Sequence, residues 1–137
     1  MNKISPNEEV IKAKYFSVYQ DWEVPIPGFL ILSPNRKMRS IMDFTDEESE
    51  EFIRLMIKTR RGMYKVLNIK EVYFFQNEDS EHGFHLWIFP RFDWMDRFGK
   101  KIQSVRPIME YAKENMINDK DQVREYVAKM REYMKEF

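Results

Sequence analysis

The chain has 137 residues, 43% apolar and 34% charged, proportions that suit a globular domain large enough to bury one core. Its 23 basic and 23 acidic residues cancel, so no bulk field draws it to nucleic acid or to an anionic membrane surface. It has no cysteine, which removes disulfides, thiolate metal sites and thiol nucleophiles; with no apolar leader and no run of about 18 apolar residues, the expected location is the cytoplasm.

In chain order, Ser5-Pro6-Asn7-Glu8 places an N-cap, a proline at the first helical position and an acidic residue at the third, which predicts a short helical arm over residues 5–14. Residues 15–22 are aromatic and β-branched, and 28–33 are an apolar run. Pro25 and Pro27 stiffen the turn between these two predicted strands. Thr45-Asp46-Glu47-Glu48 is a capping box, and Phe52, Met56, Met63 and Leu67 follow on one helical stripe that ends at Asn68, a residue suited to a left-handed cap. Residues 72–76 and 84–89 read as two strands of a hairpin, separated by the polar stretch 77–83. Residues 93–103 read as loop, Pro107 as the start of a helix reaching about Met116, and Asp119 with Gln122 as the cap of a last helix carrying Val123, Tyr126, Val127, Met130, Met134 and Phe137 at helical spacing. Strand, strand, long helix, strand, strand, helices lacks the alternation that builds a parallel sheet. The expected class is therefore α+β, an antiparallel sheet with its helices on one face, in a single domain.

Chemistry concentrates where the only two histidines stand, His82 and His85. In a strand, His85 and Trp87 share one face while Phe84, Leu86 and Ile88 share the other, so one face packs and the other is free to meet a ligand. Gly83, two residues before His85, allows close backbone approach. A neutral imidazole attacks phosphorus and forms a labile phosphoramidate, so His85 is a candidate nucleophile; the competing reading is a structural histidine at a strand edge. His82-x-x-His85 is also a metal-pair spacing, but only Glu78, Asp79 and Glu81 are near to complete a site, so neither a metal nor another cofactor is expected.

Several segments, in order, resemble one family. Asp21 precedes the proline turn, the apolar strand and the end Ser33-Pro34-Asn35-Arg36; Phe44-Thr45-Asp46-Glu47-Glu48 opens the long helix; Gln76-Asn77 ends a strand; and His85-Leu86-Trp87-Ile88-Phe89-Pro90-Arg91 closes the set. From about Tyr15 to Arg91 this set resembles the histidine triad (HIT) nucleotidyl hydrolases and transferases, in a divergent form similar to bacterial diadenosine polyphosphate hydrolase-like HIT proteins. The resemblance implies an arm at 1–14, a HIT core at 15–92 and a C-terminal helical extension at 93–137. It sets the middle, nucleophilic histidine on His85, the first triad position on Gly83 and the third on Trp87. It also sets the ribose-binding acid on Asp21 and a phosphate-side asparagine on Asn77; two further positions that are often histidine fall on Phe29 and Lys37.

Further expectations follow from the resemblance. The Gly83 carbonyl remains to fix the His85 tautomer, but Trp87 donates one N–H without titrating, so proton delivery at that position is lost, an effect of about a hundred- to ten-thousandfold. His82 is the candidate to compensate. Ser80 joins Asn77 at the phosphates, and Lys37, Arg36 and Arg91 are candidates to neutralise phosphate charge. Of Tyr15, Phe16, Tyr19, Trp22 and Phe29, one or two would face a base and the rest the core. The expected activity is nucleotidyl hydrolysis or transfer on nucleoside phosphoanhydrides, such as diadenosine polyphosphates. The alternatives are a nucleotide-binding protein weakened in catalysis, and a structural partner using the long C-terminal helix. The resemblance also implies a homodimer, with no nucleic-acid or membrane partner.

Overall fold

In the computed structural model, which describes residues 8–115 and 119–137, five strands form one antiparallel sheet. They are β1 (Glu9–Lys12), β2 (Phe16–Gln20), β3 (Leu30–Pro34), β4 (Val72–Phe75) and β5 (Leu86–Pro90), in the order β1-β2-β3-β5-β4. The register pairs Tyr19 with Ile31, Ile31 with Trp87 and Phe75 with Trp87, so these four side chains make one row across the sheet. The predicted 72–76/84–89 hairpin is the β4–β5 pair.

Three helices complete the fold: α1 (Asp46–Val66), α2 (Val105–Glu114) and α3 (Lys120–Met134). The α1 capping box forms as written in the sequence: Thr45 Oγ1 accepts from Glu48 N at 3.1 Å and Glu48 Oε1 from Thr45 N at 2.8 Å. Leu67 ends the helix, and Asn68 takes the left-handed φ of 59°. Phe52, Leu55 and Met63 of α1 meet Val123, Val127, Met130 and Met134 of α3, and both helices pack on Phe16, Val18, Leu30, Leu32 and Ile88. The two helices touch closely at Gly62, where a Cβ would lie 2.7 Å from the Tyr133 ring.

The helices are not confined to one face. Ile108 and Ala112 of α2, with Val105, pack on Phe29 and Phe89 and on Val24 and Ile26 of the proline turn, a second core on the opposite side. Alternation explains it: Leu30 and Leu32 point into the first core while Phe29 points into the second, so both faces carry apolar residues that need cover. The arm is a second correction. Residues 9–12 are an edge strand, not a helix: β-branched Val10 and Ile11 pair against β2 through a bulge, and Arg131 Nε of α3 donates to the Glu9 carbonyl at 2.7 Å. Ser5, Pro6 and Asn7 lie outside the described residues, as does Met116. The 93–103 loop contains two short 3₁₀ turns, Asp93–Phe98 and Ile102–Ser104. α2 begins two residues before Pro107, which sits in the first turn, where a missing N–H costs no helical bond.

Candidate functional site

The second face of the sheet carries the histidines. Gly83 turns the chain into β5 with φ +84°, and a Cβ there would stand 2.7 Å from the Met38 carbonyl oxygen. Phe84 N donates to that same oxygen at 2.9 Å instead of joining a strand ladder, so β5 starts at Leu86 and His85 lies just before it. Phe84 is still buried in the first core, which leaves His85 facing the other way, half-buried.

The Gly83 carbonyl is 3.3 Å from His85 Nδ1. A carbonyl only accepts, so Nδ1 carries the proton and Nε2 presents its lone pair. Burial pushes the imidazole below its ordinary pKa; the Gly83 hydrogen bond opposes this, and neighbouring His82 adds to the lowering. The ring is therefore neutral at pH 7. The His82 ring stands edge-on to it with centroids 6.5 Å apart, and the Trp87 ring is 5.8 Å away, stacked in turn on Phe75 at 5.6 Å and 16°.

The loop beneath the histidines is held by the segment after β3. Arg39 Nη1 donates to the carbonyls of Glu78 (3.2 Å) and Ser80 (2.5 Å), and Ser80 Oγ accepts from His82 N at 3.0 Å. Asn77 is exposed in this loop, its amide donating to Asp79. His82, His85, Gly83 and Ser80 are thus gathered together, with Trp87 one step along the strand, and Lys37 is exposed one residue before the Met38 carbonyl that holds Phe84.

Asp21 is placed by the proline turn. Gln20, fully buried, donates from Nε2 to the carbonyls of Asp21 (2.9 Å) and Ile26 (2.8 Å) and accepts from Gly28 N at 3.2 Å. Asp21 N then donates to the Phe29 carbonyl, and Asp21 Oδ2 accepts from Val24 N at 2.8 Å. Burial raises the Asp21 carboxyl to about 6; the Val24 hydrogen bond opposes this, Glu23 adds to the rise, and Lys113 of α2 works against it. Along the strand Asp21 lies two rows from His85 and two strands across, with the half-exposed Tyr19 in the row between. Continuing the β3–β5 register by one pair sets Ser33 opposite His85.

Arg91 is not brought to this site. Six residues past His85, about 20 Å along an extended strand, it is buried in an ion pair with Asp96 (2.9 Å) and a bond to the Tyr73 hydroxyl (3.2 Å). Arg36 is held by Glu48 in a two-pronged pair at 2.7 and 3.0 Å, which keeps that carboxyl low, at about 2. Of the five aromatics near β2, Phe16, Trp22 and Phe29 are core, while Tyr15 and Tyr19 keep part of their rings exposed. Neither the cleft between Phe75 and α2 nor those at Arg91 and Tyr15 is lined by His85; it stands half-buried beside loop 76–83 and Trp87. Gln20, Arg39 and Lys113 escaped the sequence reading. A polar residue inside an apolar run was the signal for Gln20; the other two had none. Among the described residues no group of three or more histidine or acidic side chains is arranged to hold a metal ion, and no helix is long and apolar enough to cross a membrane.

No family model matches the sequence, and no curated protein matches it. Solved structures do. A Hit-like protein from Bartonella henselae involved in cell-cycle regulation superposes at TM-score 0.65 with 17% identity, over 94% of this chain and 88% of that one. A zinc-bound histidine triad family protein from Mycobacterium smegmatis gives 0.63 at 14% identity, over 96% and 86%. The diadenosine triphosphate hydrolase of Plasmodium falciparum gives 0.56 at 18%, over 93% and 81%. With its five-stranded antiparallel sheet and long helix, the chain has the fold of the histidine triad (HIT) proteins, in a divergent form.

Proposed function

We propose that this chain is a HIT-type nucleotidyl hydrolase or transferase in which His85 attacks the α-phosphorus of a nucleoside phosphoanhydride, diadenosine polyphosphates being the first substrates to try. The observation that carries the reading is the His85 ring itself: neutral, its Nδ1 proton directed at the Gly83 carbonyl, and its Nε2 left for a ligand on a half-open face. The Nε2 lone pair forms the N–P bond while the bond to the leaving phosphate oxygen breaks and the electron pair departs with that oxygen. Water then attacks phosphorus, the N–P bond returns its pair to Nε2, and the proton of water goes to solvent. Trp87 supplies no proton, so substrates with stable anionic leaving groups are favoured. Asp21 takes the ribose hydroxyls with Tyr19 beside the base, while Lys37, Ser80 and Asn77 meet the phosphates and His82 is the second imidazole beside His85. The test is hydrolysis of adenosine dinucleotides by wild type and His85→Ala, with acid-labile nucleotidylation of the wild-type chain as a second readout. Unchanged turnover in the variant removes the assigned nucleophile.

A second reading is a nucleotide-binding protein without turnover. It is favoured by the stack of Trp87 on Phe75, which commits the third triad position to packing. Calorimetry with mononucleotides separates the two: binding without hydrolysis selects this reading, and no binding defeats both. We also infer a homodimer paired through the outer stripe of α1, where Ile53, Ile57 and Tyr64 are exposed, and through Phe74 on the edge strand β4. Ile57→Glu converts the dimer to a monomer in light scattering; a wild-type monomer overturns the inference.

A further inference from the structure

The sheet order lays out the second face directionally. Tyr19 and Asp21 belong to the β2 side, two strands from His85, and Phe75 belongs to β4, one strand away on the other side. A nucleoside monophosphate reaching from Asp21 to His85 leaves the β4 side empty. There the structure holds a cleft of about 380 Å³ between Phe75 and α2. Ile102, Val105 and Met109 form its apolar lining with Phe75, and Arg106, Glu110 and Lys113 stand around it. It is continuous with the histidine through rings: Phe75 is stacked on Trp87, and Trp87 is in contact with His85.

We propose that this cleft is a leaving-side subsite for a flat hydrophobic group, aryl or extended acyl, attached to the phosphorus that His85 attacks. The proposal rests on the nucleotidyl-transfer reading above and names the chemistry of the departing group. The lining decides between hydrophobic group and second nucleobase. Phe75, Ile102, Val105 and Met109 offer no side-chain hydrogen bond, and the polar groups around them are charged, Arg106 paired with Glu110 at 3.3 Å. A base seated there would gain no directed hydrogen bond from these four side chains, whereas a hydrocarbon surface needs none. The volume lies at the small end of ligand sites and accommodates a fused two-ring group. The cation Lys113 at the same cleft suits the anionic phosphate to which such a group is joined.

The experiment measures binding to the His85→Ala protein, so that turnover and leaving-group reactivity do not enter. The probes are adenosine monophosphate, its 2-naphthyl ester, its methyl ester and 2-naphthyl phosphate, followed by Trp fluorescence and calorimetry. The naphthyl ester binds about ten- to a hundredfold more tightly than the methyl ester. In Ile102→Asp, an exposed position, and separately in Met109→Lys, the ratio of the two affinities falls to about one. Equal affinity of the two esters in the parent protein, or a ratio that survives both substitutions, overturns the proposal. If adenosine monophosphate and both esters fail to bind while naphthyl phosphate binds and is lost in Ile102→Asp, the cleft stands and the nucleotide reading falls. If no probe binds, both fall.

Discussion

The two faces of one sheet differ more than any two segments of the chain. On the first, α1 and α3 cover Phe16, Val18, Leu30, Leu32 and Ile88, and the buried carboxylate of Glu51 in α1 is satisfied locally, accepting from the backbone of Tyr15 and Phe16 at 2.7 and 2.9 Å. On the second, α2 covers only the end near Phe29 and Phe89, and the remainder displays Tyr19, Ser33, His85 and Trp87 at least partly to solvent. Since the same strands supply both faces, residue parity alone separates what holds the fold from what is left for chemistry. A substitution on the first face should change stability and spare the site; one on the second should do the reverse.

The largest departure between faces comes from His85→Ala. Removal of a nucleophile costs at least about a thousandfold in turnover, while the urea midpoint moves little because the ring is half-exposed. On the opposite face, Ile88→Ala, fully buried and three residues further along, costs about 2–5 kcal/mol by urea unfolding and leaves nucleotide affinity per folded molecule intact. Loss of both properties in either variant would erase the distinction.

Gly83→Ala joins the faces, since this residue supports His85 by its carbonyl and abuts Met38 by its α-carbon. The left-handed backbone and the 2.7 Å approach to backbone oxygen predict a cost of about 1–3 kcal/mol, with a shifted pH profile as the His85 ring loses its fixed acceptor. A variant as stable and as active as wild type would remove Gly83 from the site.

The smallest and sharpest effect is that of Asp21→Asn. Burial raises the carboxyl from 3.8 to about 6, so the folded chain holds the proton more tightly than the unfolded one. That advantage is complete below about pH 4 and is lost as pH rises through 6. The amide removes the ionisation penalty, and at pH 7.5 the variant is more stable than wild type by about 1 kcal/mol. The gain disappears below pH 4, and nucleotide affinity drops. His85 acts oppositely, because its depressed pKa makes acidification through 6.5 costly to the folded state. A pH-independent difference between Asp21→Asn and wild type would contradict the buried-carboxylate account.

The sequence made much of this readable, and unevenly. Thr45 and Glu48 announced α1 because a capping box is complete within four residues, and the strands around the histidines followed from alternation. The arm failed because its helix signal was local whereas its strand state depends on β2 and on α3, some 120 residues away. Placement of His85 opposite Phe84 was legible from parity. The removal of Arg91 to a distant ion pair was not, because a basic residue at a strand end looks the same whether Asp96 or a phosphate receives it. The position of α2 over the second face was equally hidden, since a helix's amphipathic pattern does not say which side of a sheet it will cover.

The bond from Arg131 to the Glu9 carbonyl has a kinetic consequence. It ties β1 to α3 across 122 positions, so the β1–β2 hairpin pairs locally but gains its hold on the helical layer only when α3 is in place. Until then the outer margin of the sheet is paired on one side alone, and α3 serves as the latch that ends this stage.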